Sequence, residues 1–342
     1  MNWYEDPNVG NEIFVAARIR LTRNLRDYAF PNKLSNDDAE ELIAKLRDKM
    51  DGWKTPTGET WSFLRLDRMS ALQKNALREH RVINETLSQR VRPSGLYMSA
   101  DEGVSVALMG DDHIRIQVLS PEVTLDRLWN ICTKIDDAIN EHFNYAFHDR
   151  YGYLTAFPTN MGTGLRVSVI LHLPYLSASP QFHKLVNEVA RFGVGVRNAF
   201  GEGEEKAGRL FEVYNQNTLG VSEEEIVALV YRLASHLAVN EKQAREQRYT
   251  PVMREDEAAK AYGRLKYARL LSVRDAMASL SSLRAGLGEE LITLSGPLNV
   301  FGLMVNCCPA ALSLKTMNYN NNTDNLGADR AEYVRAMLPE LL

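Results

Sequence analysis

The chain has little cysteine. Only Cys132, Cys307 and Cys308 occur in its 342 residues. Three thiols cannot form a disulfide framework, and the adjacent pair fits neither ordinary bridge geometry nor the spacing of zinc ligands. We therefore expect three buried structural thiols, in a protein of the reducing cytoplasm.

Long apolar runs and an excess of charge of one sign are also lacking. No stretch approaches the roughly 20 apolar residues of a membrane helix, and the acidic opening, interrupted by Pro7 and Gly10, does not resemble a signal peptide. The 40 Lys and Arg against 44 Asp and Glu give a net charge of −4. This balance supplies no electrostatic basis for binding nucleic acid or a membrane surface.

Several common catalytic motifs are absent as well. The sequence has no Gly-x-Ser-x-Gly elbow and no His-Glu-x-x-His pair, which argues against serine hydrolase and zinc protease chemistry. The glycine-rich segment Pro158–Arg166 lacks the Gly-Lys-Ser/Thr ending of a Walker loop and does not match Gly-x-Gly-x-x-Gly. Alone it is a weak signal for a loop that binds an anion through its backbone.

Hydrophobic periodicity divides the chain into two parts. Alternating segments, such as 104–108 and 114–119 around an acidic turn, predict antiparallel strands between amphipathic helices. After Tyr249-Thr250-Pro251 the patterns are mostly helical, apart from an Asn-rich loop at 318–322. We predict an α+β domain over 1–248, with an antiparallel β-sheet flanked by helices, and a small all-α domain over 249–342.

Arginines recur where the predicted strands and loops meet. Arg18 and Arg20 are two residues apart on one strand, so both side chains point the same way and would repel unless an anion lay between them. Arg115 follows an acidic turn, Arg166 follows the glycine-rich segment, and Arg197 precedes a glycine-punctuated acidic loop. Each segment alone is also compatible with a solvated strand, turn or loop. Together they favour phosphoryl transfer, which depends mostly on positioning and charge neutralisation.

Taken in order, these four segments resemble the catalytic domain of the phosphagen (ATP:guanidino) kinases. The family pattern is Ser-Ser-Arg-(Ile/Val)-Arg, Asn-Glu-Glu-Asp-His-x-Arg, Cys-Pro-(Ser/Thr)-Asn-x-Gly-Thr-Gly-x-Arg and an Arg-Gly-x-x-Gly-Glu loop. Here the segments read AARIR, MGDDHIR, FPTNMGTGLR and RNAFGEGEE. Creatine and arginine kinases carry a helical domain before the first motif, whereas here the helical patterns follow the last. This order is similar to that of the bacterial protein-arginine kinases, which phosphorylate arginine side chains in proteins.

The resemblance implies transfer of the γ-phosphoryl group of ATP, with Mg²⁺, to the guanidinium of arginine residues in proteins. It implies that Asp111 and Glu205 are the catalytic carboxylates that orient the guanidinium and accept its proton. The residues that it implies for nucleotide binding are Arg18, Ile19, Arg20, His80, Arg115, Arg166, Val167, Ser168, Val169, Arg197, Asn198, Gly201 and Glu202. As partners it implies arginine-bearing substrate proteins, an activator or adaptor protein, Clp-type chaperone or protease machinery, and a second copy in a homodimer.

The sequence departs from the family pattern at several positions. Phe157 replaces a Cys, Asp111 is one methylene shorter than the usual Glu, and Asn198 replaces a loop Gly. A phosphoarginine-sensing motif, Arg-Asp-x-x-Arg-Ala, aligns with residues 326–331, where only Arg330 and Ala331 match. We therefore predict that the tail does not sense phosphoarginine through Arg330 in the family's manner. Two alternatives stay open: a degenerate, non-catalytic module that binds nucleotide or arginine, and a kinase for free arginine or another small guanidine.

Overall fold

An eight-stranded antiparallel sheet forms the centre of the fold. The computed structural model describes residues 1–6, 12–56, 58, 60–201, 203–317 and 323–342. The strands are β1 (Phe14–Arg23), β2 (Trp61–Arg65), β3 (Gly95–Ser99), β4 (Val104–Leu108), β5 (Ile114–Ser120), β6 (Phe147–His148), β7 (Gly152–Tyr153), β8 (Leu165–His172), β9 (Val194–Asn198) and β10 (Leu210–Asn215). The sheet order is β2-β3-β4-β5-β1-β8-β10-β9, and β6 and β7 form a separate ribbon. Every neighbouring pair is antiparallel, which confirms the predicted sheet.

Helices precede, connect and follow the strands. They are α1 (Asn36–Met50), α2 (Ala71–Glu79), α3 (Glu85–Gln89), α4 (Leu125–Asn140), α5 (Phe182–Ala190), α6 (Glu223–Arg248), α7 (Pro251–Tyr267), α8 (Val273–Gly288), α9 (Val300–Asn306), α10 (Pro309–Lys315) and α11 (Thr323–Met337). Capping boxes at Ser35 and Ser222 fix the starts of α1 and α6 by satisfying their first backbone N–H groups. The predicted loop at 318–322 lies outside the described residues.

One face of the sheet is apolar and is covered by helices. Ile19 of β1 and Val167 and Val169 of β8 are fully buried there. They belong to a core that also contains Leu42 of α1, Ile135 of α4 and further residues of α6. Strand alternation explains this division, because every second side chain of β1 and β8 points to this face.

The opposite face is divided between an apolar end and a polar end. At the apolar end Ala16, Leu119 and Ile170 pack with the C-terminal helices, including Leu280 of α8. The first residues of the chain join this second core, where Tyr4 is fully buried. The division at residue 248 stays a prediction: α6 ends and α7 begins there, yet the N-terminal segment packs with the helices that follow. The polar end carries the arginines.

The thiols and the helices agree with two further expectations. Cys132, Cys307 and Cys308 are buried and unpaired, and burial raises the pKa of each thiol. No helix in the described part of the chain is long and apolar enough to cross a membrane.

Candidate active site

The strand registers bring the predicted arginines to one face of the sheet. Arg20 of β1 lies opposite Arg166 of β8, and Thr22 of β1 lies opposite Arg115 of β5. Arg18, two residues before Arg20, shares their face. The spacing of these arginines in the sequence therefore becomes a single polar surface once the three strands pair.

A buried carboxylate organises part of this surface. Glu212 of β10, 1% exposed, lies opposite Arg197 of β9. Its Oε1 accepts hydrogen bonds from Nη2 of Arg18 (2.5 Å) and Nη2 of Arg81 (2.8 Å), and its Oε2 accepts one from Nε of Arg197 (2.8 Å). Burial alone would raise the pKa of Glu212, but the three guanidinium groups outweigh it and hold the pKa well below its usual range. We call Arg18, Arg81, Arg197 and Glu212 the neutralised half of the site.

Arg20, Arg115 and Arg166 form no ion pair in the described part of the chain, although Asp111 and Glu212 lie near enough to raise the pKa of Arg115. Nε of Arg20 and both Nε and Nη1 of Arg115 are buried without a hydrogen-bond partner in the described chain. Burial lowers the pKa of Arg20, Arg115 and Arg166, and the positive charges of neighbouring arginines lower each further. Partly buried cations with free N–H groups are stabilised by an anion. We call these three arginines the open half.

The open half lines a cleft of about 280 Å³. Asp111 and Asp112 from the turn between β4 and β5 form part of its wall, and Phe157 lies at its rim, 49% exposed. The cleft therefore combines three cations for phosphate groups with carboxylates that can hold a cationic acceptor. Phe157 contributes no charge to it.

The two aspartates differ in their surroundings. Oδ1 of Asp112 accepts hydrogen bonds from Nδ2 of Asn24 and the backbone N–H of Ala156, both at 2.6 Å, and burial raises its pKa. Asp111 is less buried and accepts one hydrogen bond, from Nδ2 of Asn84 at 3.1 Å. Asp112 thus serves the structure of the turn, while Asp111 has further oxygen lone pairs that can accept hydrogen bonds.

His113 holds the same turn against the end of β1. Its Nδ1 accepts the backbone N–H of Leu25 (3.1 Å), which leaves Nε2 to donate to the carbonyl of Ala29 (3.0 Å). Burial lowers its pKa to about 4, so the ring is neutral near pH 7. Its role here is to position the aspartates.

The glycine-rich segment positions Arg166. Gly162 and Gly164 have positive φ values of 109° and 66°, and a Cβ at either would overlap the carbonyl of Thr218 or of Thr22, respectively. Next to them, Oδ1 of Asn160 accepts a hydrogen bond from Nη2 of Arg166 (3.0 Å). These glycines therefore serve close packing and the placement of one guanidinium group.

Three of the predicted nucleotide-binding residues turn their side chains away from the cleft. Ile19, Val167 and Val169 lie in the core on the opposite face, so their side chains cannot reach the cleft. They alternate along the strands with residues that face the site, and Ser168 is one of those. Ser168 lies opposite Arg18, and its buried Oγ has no partner among the described residues.

Other predicted residues lie apart from the cleft. Nδ1 of His80 pairs with Oε2 of Glu102 (2.8 Å), and its ring packs on Tyr4 beneath the N-terminal segment. Asn198 ends β9, and Gly201 is exposed with φ +92°. Glu202 lies outside the described residues.

Glu205 is not among the residues that line the cleft beside Asp111. It lies in the short 3₁₀ helix Glu204–Gly208, half-buried, in a turn that packs on α8. Burial lowers the pKa of Arg330, and the nearby carboxylate of Glu205 is one of the groups that partly restore it. Arg330 itself is buried and donates to the carbonyls of Cys307 (2.9 Å) and Leu271 (2.8 Å), so it supports the C-terminal core.

Sequence reasoning missed Arg81 and Glu212. The signal for Glu212 was a carboxylate inside the apolar strand LFEVYN, a position that needs a counter-charge. The signal for Arg81 was an arginine directly after α2, where a glycine is favoured. Neither signal identifies the partner.

An antiparallel sheet with arginines and a carboxylate in one cleft has the features that phosphoryl transfer requires. Comparison with known proteins identifies the family. Residues 41–244 match the family model of the ATP:guanido phosphotransferase C-terminal catalytic domain, and residues 251–341 match that of the protein-arginine kinase McsB C-terminal domain. The chain belongs to the ATP:guanido phosphotransferase family.

Curated relatives and a solved structure are similar over most of the chain. A protein-arginine kinase of Brevibacillus brevis is 36% identical over 313 residues, covering 91% of this chain and 88% of that protein. One of Caldanaerobacter subterraneus is 33% identical over 329 residues, covering 96% and 97%. The crystal structure of lombricine kinase aligns with a TM-score of 0.61 and 21% identity, covering 73% of this chain and 70% of that one. The last likeness shows the shared fold.

Proposed function

We propose that the protein is an ATP-dependent protein-arginine kinase. It transfers the γ-phosphoryl group of ATP to a guanidinium nitrogen of arginine residues in proteins. The observation that carries the proposal is the open half, three guanidinium groups that form no ion pair in the described chain, in one cleft with the carboxylate of Asp111. The names of the relatives supply the acceptor, since they are protein-arginine kinases.

In this proposal the open half binds the phosphates. Arg20, Arg115 and Arg166 donate to phosphate oxygens and offset the charge that develops on the transferring group. Arg18 and Arg197 also donate to the triphosphate, on the side nearest to Glu212, while they remain paired with that carboxylate. ATP enters as its Mg²⁺ complex. The described residues contain no group of three His, Cys, Asp or Glu side chains able to hold a metal.

Asp111 acts on the acceptor. A guanidinium is a poor nucleophile, and the carboxylate both orients one of its nitrogens and takes up its proton. The new P–N bond forms as the bond between the γ-phosphorus and the bridging oxygen breaks, and ADP leaves. Glu205 is the second carboxylate of the proposal. It acts only once the turn that carries it moves from α8 towards the cleft.

The wider setting of the proposal comes from family resemblance. It comprises arginine-bearing substrate proteins, an activator or adaptor protein, Clp-type chaperone or protease machinery, a homodimer and the cytoplasm. Co-purification of the intact protein from a bacterial lysate, and its mass in solution, test the partners and the dimer.

The proposal is tested by incubating the protein with ATP, Mg²⁺ and an arginine-rich protein, and then by searching for acid-labile phosphoarginine by mass spectrometry. We expect phosphoarginine with the wild type and none with Asp111→Asn, which keeps the shape of the side chain. Free arginine serves as a parallel acceptor: faster phosphorylation of free arginine would favour the small-guanidine kinase. Absence of product with every acceptor, despite ATP binding, would establish the non-catalytic module instead.

A further inference from the structure

Arg81 joins β10 to the segment that follows β9. Its side chain is buried, with 7% exposed. Nη2 donates to Oε1 of Glu212 at 2.8 Å, and Nη1 donates to the carbonyl of Ala199. Ala199 directly follows β9 and begins the connection that leads to Glu205. One guanidinium group thus ties the carboxylate of the neutralised half to the segment that carries the second carboxylate of the proposed reaction.

The backbone of Arg81 is held in a conformation that disfavours an arginine. Its φ is +68°, and α2 ends here through hydrogen bonds from the N–H of Arg81 to the carbonyl of Arg78 (2.9 Å) and from the N–H of Val82 to that of Leu77 (2.9 Å). Glycine is the residue that usually occupies this position after a helix. A long side chain that persists against a backbone preference points to a role for the side chain itself.

Gln117 connects Arg81 to the open half. Its Nε2 donates to the carbonyls of Arg81 (2.8 Å) and Val82 (3.1 Å). Its Oε1 accepts a hydrogen bond from Nη2 of Arg115 (3.0 Å). Arg81 is therefore linked to the neutralised half through its side chain and to the open half through its backbone.

We propose that Arg81 is a positioning residue for the phosphates of ATP, an inference that rests on the proposed function. Arg81 and Arg18 both donate to Oε1 of Glu212, so the negative charge of this carboxylate is divided between the two guanidinium groups. Without Arg81, only Arg18 and Arg197 remain to pair with Glu212, the arginine surface loses one positive charge, and the carbonyl of Ala199 loses a hydrogen-bond donor. Each of these changes weakens the hold on a triphosphate.

The test is the substitution Arg81→Gly in the full chain. Glycine accepts the positive φ without strain, so the end of α2 is kept while the guanidinium group is removed. We expect the dissociation constant for Mg-ATP, measured by titration calorimetry, to rise about tenfold, as the loss of one charge-assisted contact implies. The melting temperature without nucleotide should fall as well, because Glu212 loses one of its three partners, so ATP binding is measured at a temperature at which both proteins are folded.

Two further variants control for indirect effects. Arg78→Ala removes a more exposed arginine three residues earlier, whose partner is Glu85 (2.6 Å), and it should leave ATP binding unchanged. Arg81→Lys keeps the charge, but its single ammonium group cannot reproduce the planar fork that contacts both Glu212 and Ala199. The dissociation constant of Arg81→Lys for Mg-ATP should lie between those of the wild type and Arg81→Gly.

A double-mutant cycle with Glu212→Gln tests whether Arg81 acts through Glu212. Glu212→Gln leaves Arg81 buried without a counter-charge, so the melting temperature should fall. Adding Arg81→Gly to it should raise the melting temperature again and change ATP affinity less than twofold. Unchanged ATP binding by Arg81→Gly, or equal weakening by Arg78→Ala, would overturn the inference alone. A wild type that does not bind ATP would overturn the proposed function with it.

Discussion

The two halves of the arginine surface contain the same residue type on the same face of one sheet, yet their electrostatics differ. In the neutralised half three guanidinium groups surround the carboxylate of Glu212. Their ion pairs offset the free-energy cost of burying the charged groups. In the open half Arg20, Arg115 and Arg166 form no ion pair in the described chain, and the charges of neighbouring arginines lower the pKa of each. The neutralised half stabilises the fold, whereas the open half costs stability until an anion binds.

This difference shows how a site can be prepared for a polyanion. Glu212 fixes one set of arginines before the nucleotide arrives, so less ordering is required on binding. The unmatched charge is confined to the three positions beside Asp111, where phosphoryl transfer is proposed to take place. One carboxylate on β10 thus determines which arginines are ion-paired before the nucleotide binds.

The largest effect is expected at the carboxylate beside the open half. Asp111→Asn removes the proposed base while keeping the shape and the hydrogen bond to Asn84. Phosphoarginine formation should fall by a factor of about 10² to 10⁴, and ATP affinity should remain nearly intact. Single-turnover assays and calorimetry on the same sample separate the two effects. Near-normal turnover would show that Asp111 is not the base.

The next effect concerns ATP binding by the open half. Arg166→Ala removes a cation from the cleft and should weaken ATP binding by about 1.5–3 kcal/mol, the usual contribution of a charge-assisted phosphate contact. Arg78→Ala, away from the cleft, is the matched control. If both variants bind ATP equally well, the cleft is not the phosphate site.

A smaller effect contrasts the stability of the two halves. Arg20→Met removes a cation whose pKa is lowered by burial and by Arg115, so the nucleotide-free protein should become more stable, by about 1 kcal/mol. Arg197→Met removes a partner of Glu212 and should lower stability instead. Thermal unfolding without nucleotide compares them. Shifts of the same sign would mean that the two halves do not differ as described.

The smallest effect is a pH dependence at the turn beside the open half. The pKa of His113 is about 4 in the folded protein against an ordinary value of 6.5, so the unfolded chain binds the extra proton between these values. The stability contributed by neutral His113 is complete above pH 6.5 and is lost as the pH falls towards 4. His113→Asn does not titrate, so its deficit in melting temperature relative to the wild type should shrink across that window. A constant deficit would show that His113 does not titrate in this way.

The sheet and the open half could be predicted because they depend on local regularities. The alternation of β1 placed Arg18 and Arg20 together, and antiparallel pairing then aligned them with Arg115 and Arg166. The same alternation turns the side chains of Ile19, Val167 and Val169 into the core. The family pattern names consecutive positions, and consecutive strand residues face opposite ways.

The neutralised half could not be predicted because it depends on contacts between distant segments. Arg81 and Glu212 are 131 positions apart, and Arg18 and Glu212 are 194 apart. The position of Glu205 likewise depends on how the connection from β9 to β10 packs against α8. Sequence periodicity fixes which face a residue takes, and it does not fix which distant residue meets it there.

The central claim is that the open half receives the phosphates of ATP, and a crystal structure with Mg²⁺ and a non-hydrolysable ATP analogue tests it most directly. The account predicts phosphate oxygens within hydrogen-bond distance of Arg20, Arg115 and Arg166, with the γ-phosphate nearest Asp111. Phosphates bound away from these residues, for example beside Arg209 and Arg274 in the groove lined by α7 and α8, would contradict it.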